Sequence, residues 1–214
     1  MEIVKKHPLW LRLSHWLNVP AFFLMVWSGI LIYWANDAYG PFFPQWFYEA
    51  FDIPQRLAEG MAIHFTVAWV LVLNGIFYVA ASFFTRHWRE LRPDLRTWKN
   101  LIPTILHDLS LRREAVPQGK YNAAQRVIYT AVALLFALEI ITGFLIYKPV
   151  QLGFFLPIFG GYEGARLVHF IAMILLILFT LLHVLQVMRA GWNGFRAMVA
   201  GFEVIKTNQG ADRE

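Results

Sequence analysis

The stretch LVHFIAMILLILFTLLHVLQVM, residues 167–188, decides the fold. It holds no acidic or basic side chain and is long enough to cross a hydrocarbon core about 30 Å thick as a helix. Its two ionisable groups are imidazoles, His169 and His183, fourteen residues apart. At about 100° per residue, fourteen steps make roughly four turns less about 40°, so both rings leave nearly the same face. The rise of about 1.5 Å per residue separates them by roughly 21 Å along the axis. One helix therefore presents a nitrogen ligand near each end of a membrane span.

Composition agrees with that setting. Of 214 residues, 58% are hydrophobic, 17% aromatic and 15% charged. Soluble domains carry about 25% charged residues, and the mean hydropathy here is +0.47. Three further windows reach spanning length: 16–36, 61–85 and 127–147. Across all four windows the sole acidic or basic side chain is Glu139. The first window is too long for the apolar core of a signal peptide, and no small-residue cleavage site follows it, so it reads as a retained helix. The expected fold is all-α, an integral-membrane bundle of four helices.

Basic residues orient the bundle. Lys5, Lys6 and Arg12 precede the first span, and Arg189, Arg196, Lys206 and Arg213 follow the fourth. The loop between the second and third spans carries Arg86, Arg89, Arg92, Arg96, Lys99, Arg112, Arg113 and Lys120. The other side keeps Arg56, Lys148 and Arg166, and its first loop holds Asp37, Glu49, Asp52 and Glu59. The positive-inside rule then places both termini in the cytoplasm. The net charge of +5 is mostly this topology signal, and nucleic-acid binding is a poor reading of it.

Two loops have patterns of their own. Pro41-Phe42-Phe43-Pro44 and Trp46-Phe47-Tyr48 suit an aromatic belt at the external interface. In the long cytoplasmic loop, Leu95, Trp98, Leu101, Ile105 and Leu109 recur at steps of three and four among basic residues. That pattern predicts an amphipathic helix lying on the inner leaflet.

With this topology the membrane histidines sort by depth. His15 and His183 lie at the cytoplasmic end, and His64 and His169 at the external end. Four histidines in two depth-matched pairs have the arrangement for two stacked haems, each with two axial histidines. A single intramembrane histidine would read instead as a hydrogen-bonded interior residue. His7, His87 and His107 fall in polar or interfacial segments and are expected to be solvated. The sequence has no cysteine, which removes Fe–S ligation, covalent haem attachment and disulfides.

Other residues fit the same picture. Gly29 lies fourteen residues beyond His15, on its face and at the depth of the other haem, where a flat macrocycle needs an absent side chain. Gly75 and Gly143 can serve alike, although small residues also let membrane helices pack closely. Arg12 and Arg166 each precede a ligand histidine by three residues, in reach of haem propionates. For Arg12 a plain positive-inside charge is the first reading, whereas Arg166 stands on the side that otherwise avoids positive charge. Glu139 either takes part in proton movement or hydrogen-bonds a neighbouring helix.

The chain resembles the four-helix di-haem cytochrome b subunits of membrane-bound formate dehydrogenase, Ni/Fe-hydrogenase and thiosulfate reductase. The resemblance covers about Pro8 to Arg189. It rests on Arg12-Leu13-Ser14-His15-Trp16, on His64, on Lys120-Tyr121-Asn122-Ala123-Ala124-Gln125-Arg126, and on His169 with His183. It implies a quinone pocket on the cytoplasmic side, beside the His15/His183 haem and touching Asn122, which also reads as a helix N-cap.

On these grounds the expected organisation is a transmembrane di-haem cytochrome b domain over 8–190 and a cytoplasmic tail over 191–214. The expected function is electron transfer between quinone in a bacterial inner membrane and a peripheral molybdenum or Fe–S oxidoreductase subunit on the external face. Two axial histidines leave iron no open position, so no catalytic residue is assigned. The alternative is a self-contained cytochrome b enzyme such as a superoxide:quinone oxidoreductase. A transporter whose histidines bind ions fits less well, because transport sites cluster near the midplane.

Overall fold

The computed structural model describes residues 1–36, 38–108, 111 and 121–205. Asp37, Leu109, Arg112, Arg113, Lys120, Lys206 and Arg213, which carry part of the charge and loop expectations, lie outside the described residues. The elements run β1 (Glu2–Lys5), α1 (Leu9–Tyr33), α2 (Gln45–Ala50), α3 (Leu57–Phe84) and α4 (Trp88–Leu91). They continue with α5 (Leu95–Asp108), α6 (Ala123–Tyr147), α7 (Tyr162–Ala200) and β2 (Phe202–Ile205).

Among the described residues four helices are long and apolar enough to cross a membrane: Leu9–Asn36, Leu57–Phe84, Ala123–Tyr147 and Tyr162–Ala200. These are the four predicted spans, and the fold is all-α apart from one small sheet. Each helix begins four to seven residues before its apolar window. Hydropathy registers lipid-facing length, whereas a helix also includes polar first turns outside the core. The helices are built inside out relative to soluble ones. Phe84, Leu134, Leu182 and Met188 are exposed, while Ser14, Ser28, Thr142, Ala165 and Ala172 are buried. Small and hydroxyl-bearing interiors of this kind let membrane helices approach closely and hydrogen-bond across the gap.

The chain divides into two compact units, Met1–Val79 with Gln186–Glu214, and Ala80–Leu185. In the first, β1 pairs antiparallel with β2, Glu2 opposite Ile205 and Lys5 opposite Phe202. Lys6 and Glu203 close the sheet with a 3.2 Å ion pair. Arg12 donates from Nη1 to the Val199 carbonyl at 2.6 Å, and Trp16 donates to the Met198 carbonyl at 3.1 Å. These side chains satisfy carbonyls that the end of α7 leaves without helical partners. The helix reaches this clasp by turning at Gly191, where φ is 71° and ψ −171°.

Also in the first unit, the aromatic loop is more than an interfacial belt. Phe43 stacks on Phe47 with centroids 4.3 Å apart, and both pack on a core of Leu31, Tyr48 and Ile53. Asn74 of α3 reaches α1, donating to the Ser14 carbonyl at 2.9 Å and to Asn18 Oδ1 at 2.7 Å.

In the second unit, α5 packs on α6. Thr97 and Thr104 are buried, and Leu95, Trp98, Ile102 and Ile105 are exposed. An apolar side of α5 thus faces outward. Asp94 caps it: Oδ1 accepts from the Thr97 amide at 2.7 Å and the Thr97 hydroxyl at 2.8 Å. Those bonds, the hydroxyl first, hold the Asp94 carboxyl below the usual carboxylate range. Asn122 opens α6 with a full capping box, accepting from the Gln125 amide at 2.7 Å and donating its own amide to Gln125 Oε1 at 2.9 Å.

Candidate functional site

His64 stands on α3 of the first unit, and Ser28 of α1 meets it. Ser28 Oγ lies 2.9 Å from His64 Nδ1 and 3.1 Å from the Met25 carbonyl. A serine hydroxyl has one proton, and the carbonyl can only accept. With Nε2 bound to a metal the ring proton sits on Nδ1, and the serine oxygen then accepts it while donating its own proton to the Met25 carbonyl. The approach depends on Gly60, one helical turn before His64. A Cβ there would stand 2.7 Å from Leu31 Cβ and 3.3 Å from the Ser28 carbonyl oxygen. Gly29 adjoins the same ring, its hypothetical Cβ 4.0 Å from His64 Cε1.

The second unit repeats the construction on different helices. His169 stands on α7, and Thr142 of α6 places Oγ1 3.0 Å from its Nδ1. Thr142 Oγ1 also lies 2.7 Å from the Leu138 carbonyl and 3.3 Å from that of Glu139. In the same metal-binding tautomer Thr142 accepts from the imidazole and donates to the Leu138 carbonyl. Gly143 follows Thr142 as Gly29 follows Ser28, and a Cβ on it would stand 3.3 Å from His169 Cε1. Glu139 adds a carboxylate here: its Oε2 lies 2.6 Å from His169 Nδ1.

These two arrangements fit axial haem ligation. A hydroxyl–glycine pair engages the ring through Nδ1 and keeps the backbone close, an arrangement that suits a metal-binding Nε2. Among the described residues no three His, Cys, Asp or Glu side chains gather into a cage for a bare ion.

The other predicted residues have identified surroundings. His15, six residues into α1, is half-buried and meets Trp16 edge-on at 5.4 Å. His183 is half-buried on α7 and stacks on Phe179, centroids 5.6 Å apart and planes 20° from parallel. Arg166 pairs with Glu163 at 3.0 Å and lies 5.9 Å from the Tyr162 ring. No atom stands within 4 Å of a Cβ placed on Gly75. Beside the Asn122 cap, an open cleft is lined by Trp88, Arg89, Arg92, Asp94 and Arg126. Within it Arg126 and Asp94 approach to 3.8 Å.

One expectation is corrected. His87, read from its polar neighbours as solvated, is 6% exposed. It pairs with Glu90 at 3.2 Å and packs against buried Tyr121, centroids 6.0 Å apart. A turn at Arg86, where φ is 60°, precedes it, and hydropathy does not register such a fold-back. Ser28, Thr142 and Gly60 also escaped the sequence reading as supports of the histidines. The available signal was a hydroxyl residue directly before Gly29 and Gly143, and a glycine four residues before His64.

Residues 6–201 match the family model described as prokaryotic cytochrome b561. The chain is 33% identical over 187 residues to YedZ1 of Azospira oryzae, named as a protein-methionine-sulfoxide reductase subunit, covering 87% of this chain and 91% of that one. It is 29% identical over 180 residues to the cytochrome b556 subunit of the nitrate-inducible formate dehydrogenase of Escherichia coli K12, covering 80% and 71%. The formate dehydrogenase cytochrome b556 subunit of Haemophilus influenzae is 23% identical over 198 residues, covering 91% and 74%. With four helices long and apolar enough to span a membrane, the chain belongs to the prokaryotic cytochrome b561 family of membrane cytochromes, and that membership implies b-type haem.

Proposed function

We propose that the protein is the membrane-embedded electron-transfer subunit of an oxidoreductase, holding two b haems between a quinone in the bilayer and a peripheral redox subunit. The observation that carries it is the matched presentation of His64 and His169, each meeting a buried hydroxyl at Nδ1. When bound, the haems supply reversible one-electron exchange. Depth along the spans assigns His64 and His169 to the external haem, and His15 and His183 to the cytoplasmic one. Arg12 and Arg166 serve the propionates, and Gly29 makes room for the macrocycle.

The relatives are named as subunits of formate dehydrogenase and of a methionine-sulfoxide reductase. They support a peripheral partner here, placed on the external face. Pairing of β1 with β2 brings the two ends of the chain together. This supports both termini on one face of a bacterial inner membrane, the cytoplasmic one by the positive charge beside them. Asn122, with the cationic cleft near it, marks the cytoplasmic end where quinone is oxidised or reduced.

Haem counting on the purified full chain tests this directly. Two b haems per chain are expected, and a folded, haem-free preparation overturns it. His64→Ala and His169→Ala should each remove the same haem, and His15→Ala and His183→Ala the other. Crossed losses would refute the depth assignment. Recovery of a peripheral oxidoreductase with the chain from native membranes supports the subunit role; a chain that purifies alone and reduces quinone with superoxide refutes it.

A further inference from the structure

Glu139 is the only acidic or basic side chain in the four apolar windows, and a carboxylate at membrane depth is retained only against a substantial desolvation cost. Its side chain is 15% exposed, its Oε2 lies 2.6 Å from His169 Nδ1, and its Oε1 is buried without a hydrogen-bond partner among the described residues. The carboxylate is thus committed to one imidazole. We infer that Glu139 is a positioning residue that gives His169 imidazolate-like character, so the haem bound by His169 has a lower reduction potential than a hydroxyl-held histidine would give it.

The direction of the hydrogen bond follows from ligation, and the inference rests on the haem assignment above. A nitrogen bound to iron carries no proton, so the single proton of a neutral His169 ring sits on Nδ1. Thr142 spends its own proton on the Leu138 carbonyl, 2.7 Å away. One N–H therefore faces two acceptors, and the carboxylate is both the nearer and the more strongly polarising. Drawing that proton outward raises electron density at Nε2, which favours ferric over ferrous iron. At His64 the ring nitrogen faces the Ser28 hydroxyl.

The test is a spectroelectrochemical titration of the purified full chain and of Glu139→Gln, which keeps the acceptor oxygen and shape but removes the charge. At unchanged haem content, the haem that His169→Ala removes should become easier to reduce by tenfold or more in its one-electron equilibrium, about 59 mV. The other haem should stay within threefold. The ferric low-spin resonance of the shifted haem should move with it, a change that loss of packing alone would not produce. Potentials of both haems within threefold of wild type overturn the inference and leave the haem assignment standing. Should Glu139→Gln lose that haem, Glu139→Asp decides: retention near the wild-type potential supports the carboxylate's role, and loss overturns it. A wild-type chain without haem overturns both at the outset.

Discussion

Ser28 Oγ of α1 lies 2.9 Å from His64 Nδ1 of α3 and 3.1 Å from the Met25 carbonyl, so one hydroxyl joins the imidazole to the backbone of the neighbouring helix. Removing it with Ser28→Ala takes that partner from a half-buried ring nitrogen, at a cost of about 1 kcal/mol. The ring is then free to turn or to move its proton to Nε2. The expected result is a 10- to 100-fold weaker hold on the haem assigned to His64, read as haem loss during dilution or transfer to apomyoglobin. Ser28→Thr keeps the oxygen and should restore most of the retention.

Gly60 and Gly75 lie on the same helix yet predict opposite outcomes. A methyl on Gly60 meets Leu31 Cβ at 2.7 Å, where neither partner can swing aside, so α3 must move off α1 and carry His64 with it. Gly60→Ala should destabilise the first unit by about 1–3 kcal/mol. A methyl on Gly75 meets nothing within 4 Å, and Gly75→Ala should be neutral or stabilising by up to about 1 kcal/mol through helix propensity. Thermal unfolding followed at the haem absorption band separates the two. Equal behaviour would show that the close approach at Gly60 does not support the site.

The contrast shows what the chain makes legible. His64, His169 and Glu139 stand out because each interrupts an apolar window, and the fourteen-residue step needs only the helical repeat. Ser28 and Thr142 do not stand out. A hydroxyl in a span can bond back to its own helix, and only the rotation of one helix against another aims it at an imidazole. Gly60 is hidden for the same reason. The strands were hidden differently: Glu2–Lys5 and Phe202–Ile205 are four residues each, too short for a period to register, and they pair across nearly the whole chain. His87 failed because burial by a turn leaves no hydropathy trace.

Asn122 carries two roles that substitution can separate. Its capping box is fully formed, with Gln125 answering in both directions. Asn122→Ala should loosen the start of α6 by about 0.5–2 kcal/mol, seen as faster amide exchange in its first turn. Asn122→Ser keeps a capping oxygen and should leave that exchange near wild type. If Asn122 also contacts quinone, both variants should slow haem oxidation by a soluble quinone analogue. If its role is capping alone, only Asn122→Ala should do so.

Gly191 gives a prediction about the ends of the chain. With φ at 71° and ψ at −171° it occupies a region open to glycine and strained for any residue with a Cβ. Nothing stands within 4 Å of that Cβ, so the strain is conformational and not a clash. Gly191→Ala should cost about 1–3 kcal/mol. The turn feeds Asn193, whose side chain bonds Val204 at 3.0 and 3.3 Å, and beyond it Val199, whose carbonyl Arg12 holds. Strain at residue 191 is therefore relieved most cheaply by releasing β2 from β1, which leaves the apolar helices intact. Limited proteolysis should cut the Gly191→Ala chain near its termini several-fold faster than wild type, with haem content and helicity unchanged. Loss of helicity instead would mean that the turn at Gly191 supports the span itself and not the clasp.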